Sequence, residues 1–103
     1  MEEVVLITVP SEEVARTIAK ALVEERLAAC VNIVPGLTSI YRWQGEVVED
    51  KELLLLVKTT THAFPKLKES VKALHPYTVP EIVALPIAGG NREYLDWLRE
   101  NTG

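Results

Sequence analysis

Apolar residues change their period several times along the chain. In "VVLITV" (4–9) they run without a gap up to Pro10, as in a short strand buried on both faces. Beyond Ser11 the period lengthens. Val14, Ile18 and Leu22 recur every four residues, and Ala15, Ala19 and Leu27 widen the stripe. Ser11 offers a side-chain acceptor to an orphan backbone N–H, and Glu12 and Glu13 suit a first helical turn. The pattern predicts a helix from Ser11 to about residue 28.

Extended patterns return in "ACVNIVP" (29–35) and "LTSIYRW" (37–43), with Pro35-Gly36 as a break between them. Gln44-Gly45 reads as a tight hairpin turn, because glycine takes a positive φ without steric cost. The return strand is "EVV" followed by "ELLLLVKTT" (52–60). A two-residue turn at 44–45 makes Ile40 face Glu49 and Pro35 face Leu54. The irregular stretches 35–36 and 49–51 are then close, so the hairpin should bend there and project its tip as an arm.

A second helix is expected from about Thr61 to Leu74. Pro65 is tolerated only in its first turn, and Leu67, Val71 and Leu74 mark the inner face. "EIVALPI" (81–87) is a fourth strand. After Gly89-Gly90, Asn91 can cap a last short helix, "REYLDWLREN", with Tyr94, Leu95 and Leu98 inward. The order βαββαβ plus a terminal helix predicts one α+β domain over residues 1–103, a ferredoxin-like sandwich with a long hairpin between its second and third strands.

Such a sandwich covers one sheet face with helices. "LLLLV" (53–57) has no solvent side, so the other face also needs a cover. The arm carries Leu37, Tyr41 and Trp43 on one face and Ile40 on the other. A lone hairpin is marginal in water, and a small core cannot absorb both surfaces. Self-association is expected.

Composition narrows the partners. The 103 residues are 48% hydrophobic and 25% charged, with a net charge of −4. An acidic balance argues against nucleic acid; Lys66, Lys68 and Lys72 fit the solvated face of one helix. No run approaches the length of a membrane span, and "MEEVVLITVP" lacks the features of a secretory leader. The single cysteine, Cys30, excludes an intrachain disulfide. These features point to the cytoplasm.

Several long stretches, "ERLAACVNIVPG", "YRWQGEV", "LLLVKTT", "HPYTVPEIVALPI" and "YLDWL", together resemble the CutA family of divalent-cation tolerance proteins. The resemblance runs in register from about residue 4 to 99. It implies a compact homotrimer of ferredoxin-like protomers joined through the hairpin, and a role in tolerance of copper or another divalent cation. It also implies a likeness to PII-type signalling trimers, which hold small effectors between subunits. Some members carry a cysteine in the first strand and two consecutive histidines before "PY" as a metal-binding set. Here Ile7 stands about where that cysteine would be, Leu74 replaces the first histidine, and His75 remains.

His75 is therefore the candidate metal ligand. Neutral imidazole suits Cu²⁺, Zn²⁺ and Ni²⁺, although stable sites draw three or four ligands. The competing role is a histidine at a helix C-terminus leading into a proline turn. Cys30, among apolar neighbours, reads as a buried and inert thiol. His62 falls in a first helical turn, where a cation is disfavoured. Glu46, Glu49, Asp50 and Glu52 read as a solvated acidic edge on the arm. Lys58, Tyr77 and Glu81 would line a cleft with His75 if the fourth strand lies near the third; a Lys58–Glu81 ion pair would also explain them.

No nucleophile–base–orienter set assembles, and "AGGN" lacks the spacing and lysine of a phosphate loop. The expected role is metal binding by a homotrimer rather than turnover. The alternatives are a trimeric sensor of a small effector and a scaffold for another protein.

Overall fold

The structure is a computed structural model and describes residues 1–103. Its elements are β1 (Glu2–Val9), α1 (Glu12–Glu24), β2 (Cys30–Trp43), β3 (Glu46–Thr60), α2 (Phe64–Leu74), β4 (Ile82–Pro86) and α3 (Arg92–Glu100). The four strands form one antiparallel sheet in the order β2-β3-β1-β4. This is the predicted α+β, ferredoxin-like architecture with a terminal helix.

One face of the sheet makes the core. Val5, Ile7 and Val9 of β1 and Leu55 and Val57 of β3 pack under Ala15, Ile18 and Leu22 of α1 and Leu67 and Val71 of α2. Ser11 caps α1 by accepting the Val14 N–H at 3.2 Å, and Pro65 sits in the first turn of α2. The helix α1 stops four residues before the expected end. Arg26 takes φ +59° there, a left-handed conformation that no helix continues through. Its guanidinium donates to the carbonyls of Glu100 (2.7 Å) and Gly103 (2.8 Å), so a cation meets the C-terminal end of α3.

The opposite face carries the other alternation set: Val4, Leu6 and Thr8 of β1, Leu54, Leu56 and Lys58 of β3, Val83 and Leu85 of β4, and Asn32 and Val34 of β2. Val83 and Leu85 remain 44% and 46% exposed. Helix α3 covers only one end of this face, where Arg99 pairs with Glu2, and the rest is open and apolar.

The hairpin register differs from the simple expectation at one point. Ile40 faces Glu49 as predicted, but Val34, not Pro35, faces Leu54. Pro35 and Gly36 together oppose Leu53, a β-bulge, and Gly36 takes φ +82°. The bulge reverses the inward and outward sets of β2. Before it, even-numbered residues share the open face; after it, Leu37, Ser39, Tyr41 and Trp43 do. The arm extends the molecule to 44 Å against 25 and 22 Å in the other directions.

In α3, Leu98 is buried as expected and Leu95 partly so, but Tyr94 is exposed. It stacks on Trp97 at 5.6 Å instead of entering the core.

Candidate functional site

The loop between α2 and β4 begins at His75, whose φ and ψ leave the helix for extended backbone before Pro76. The side chain is only 7% exposed. Nε2 lies 2.7 Å from the Thr8 carbonyl, and the Tyr77 N–H donates to Nδ1 at 3.2 Å. A carbonyl can only accept and an amide N–H can only donate. The two bonds together therefore require the neutral ring with its proton on Nε2. Both nitrogens are engaged within the chain. His75 fastens the loop to the end of β1, and its ring packs on Tyr77 at 4.7 Å.

Tyr77, so placed, donates its hydroxyl to Glu52 Oε2 at 2.8 Å. Burial and this carboxylate hold the Tyr77 phenol well above the ordinary tyrosine range. Glu52 is 7% exposed and meets no lysine or arginine in an ion pair. It is thus not part of a solvated edge. Glu46, Glu49 and Asp50 are exposed, but Asp50 accepts a hydrogen bond from the Tyr41 hydroxyl, which raises that phenol's pKa as well.

These residues border a cleft of about 630 Å³ between the loop and the base of the arm. Tyr41, Trp43 and Tyr77 supply aromatic walls, and Pro76 and Val79 add apolar surface. Glu52 and Glu81 are its charged groups, with no lysine or arginine in the lining. Tyr77 and Glu81 thus come together as expected, with His75 directly behind them. Lys58 does not join them. β1 lies between β3 and β4, so Lys58 falls in the row of Val4 and Leu85, away from Thr8, and donates to Asn32. The alternative Lys58–Glu81 pair is absent for the same reason. Cys30 lies opposite Lys58 on the open face and is half-buried, not enclosed. Its thiol, after the effect of burial, raises the pKa of Tyr94. His62 is exposed beside the start of α2.

Comparison with known proteins places this geometry in a family. The family model described as "CutA1 divalent ion tolerance protein" matches residues 3–101. The chain belongs to the CutA1 family. It is 97% identical to the divalent-cation tolerance protein CutA of Thermus thermophilus over 103 residues, covering the whole of both chains. It is 50% identical to human protein CutA over 96 residues, which span 93% of this chain and 54% of the human one. Among solved structures, a Thermus thermophilus divalent cation tolerance protein superposes with a TM-score of 0.98 at 97% identity over both full chains. A protein from Archaeoglobus fulgidus described as the periplasmic divalent cation tolerance protein CutA superposes with a TM-score of 0.95 at 44% identity, over 98% of each chain.

For a CutA1-family chain, the donor set is sparse. No three His, Cys, Asp or Glu side chains group closely enough to hold a metal ion. Sequence reasoning missed the Glu52–Tyr77 pair. Charge made Glu52 read as part of a solvated edge and carried no sign that a loop 25 residues later would close over it. No helix is long and apolar enough to cross a membrane.

Proposed function

We propose that the chain serves divalent-cation tolerance as a cytoplasmic homotrimer that binds copper or another divalent cation weakly, without turnover. Membership of the CutA1 family supports the cation role. The observation that carries it is the cleft, whose charged lining groups are two carboxylates and no cation. Carboxylate oxygens suit divalent ions, and the sparse donor set leaves room for water in the coordination shell. His75 is the imidazole nearest this cleft. It becomes a copper ligand by exchanging the Tyr77 N–H at Nδ1 for the ion, which makes copper binding and loop closure compete. The open apolar face and the arm supply the surface for assembly.

Calorimetric titration of metal-stripped protein tests this reading. Cu²⁺ and Zn²⁺ should bind saturably, Glu52→Gln should weaken both, and His75→Ala should weaken Cu²⁺ more than Zn²⁺. Binding that is unchanged by Glu52→Gln would overturn it.

One observation favours a second reading, a sensor of a small effector. The cleft volume lies within the range of small-molecule sites and far exceeds what one ion fills.

A further inference from the structure

Glu52 is a largely buried carboxylate that has no ion-pair partner within the chain. It is 93% shielded from solvent, counting from its 7% exposure, yet its only side-chain partner is a neutral phenol. Oε2 accepts from Tyr77, and Oε1 keeps some contact with solvent. A carboxylate withdrawn from water needs an opposite charge or several donors. The nearby cations on the arm do not supply one. Arg42 and Lys51 alternate onto the face opposite Tyr41, Asp50 and Glu52.

The cleft that this carboxylate lines is also lined by Tyr41, Trp43 and Tyr77. Aromatic rings carry negative charge on their faces and attract ammonium groups, most strongly those that are poorly hydrated. Both phenols stay neutral and act as donors to carboxylates, so they add no cation of their own. Glu81 at the exposed mouth adds a second negative charge. An inorganic anion would meet two carboxylates and no basic side chain, and a neutral ligand would leave Glu52 uncompensated.

We propose that this cleft binds an organic ammonium ion, with the cationic nitrogen against Glu52 and its carbon substituents between Tyr41, Trp43 and Tyr77. The inference rests on the small-effector reading and names its ligand class. It assigns Glu52 the charge recognition, the three aromatic residues the shape, and His75 the positioning of Tyr77.

The test uses the full chain with Trp97→Phe, so that Trp43 is the only tryptophan, and follows its emission. Tetramethylammonium and spermidine are titrated against sodium chloride at matched ionic strength, with phosphate and ATP as anionic comparisons. Saturable change with the ammonium ions alone is expected, and Glu52→Gln should weaken it roughly tenfold, as loss of a charge-assisted contact implies. Glu81→Gln, at the exposed mouth, provides a second variant that does not disturb the buried pair. Saturable binding of an anion without an ammonium ion would overturn the inference and leave the effector reading standing. Absence of any organic ligand would overturn both. A fall in assembled mass in Glu52→Gln, with no ammonium binding to the parent, would assign the counter-charge to a second copy and also overturn the inference.

Discussion

At the residue scale, three side chains form one chain of dependence. His75 holds the loop, the loop places Tyr77, and Tyr77 satisfies half of Glu52. Removing the first member should be felt at the last. His75→Ala deletes two hydrogen bonds from a buried site and opens a cavity, a loss of about 1–3 kcal/mol. Denaturant unfolding would measure it; stability within error of the parent would show that the ring does not hold the loop. The role of His75 was only half legible in the sequence. Its place between a helix end and Pro76 could be read directly, but both of its partners are backbone groups. A backbone carbonyl 67 residues away leaves no mark in residue identity.

At the scale of elements, patterning was a sound guide wherever burial on one face imposed a period. The strands, both main helices and the 44–45 turn follow from it. What it missed lies where backbone geometry interrupts the pattern. α1 ends at a left-handed Arg26, a residue with no intrinsic preference for that conformation. The Pro35-Gly36 break was visible, but not its one-residue effect on register. That bulge decides which face Tyr41 and Trp43 present. Gly36 sits at φ +82°, and a Cβ there would meet nothing within 4 Å. Gly36→Ala should therefore cost about 1–2 kcal/mol through the backbone alone. Equal unfolding midpoints for parent and variant would mean that the bulge does not depend on a left-handed glycine.

At the scale of the molecule, the chain leaves part of its apolar surface open. Val83 and Leu85 on the sheet face, and Trp43 (44% exposed) on the arm, leave apolar surface in water of the kind that marks an interaction site. The homotrimer proposed here predicts a light-scattering mass three times the 11.5 kDa of the chain at micromolar concentration, reduced by Trp43→Asp. A monomer under those conditions would contradict the arm's role. In the proposed trimer, assembly and cleft are linked, because Tyr41 and Trp43 belong to both the arm and the lining. The central claim is that a cation sits at the base of the arm. It is tested most directly by titrating Cu²⁺ into the Trp97→Phe protein while following Trp43 emission. The account predicts a saturable change, reversed by a chelator and weakened in Glu52→Gln; emission that stays constant, or changes equally in both proteins, would contradict it.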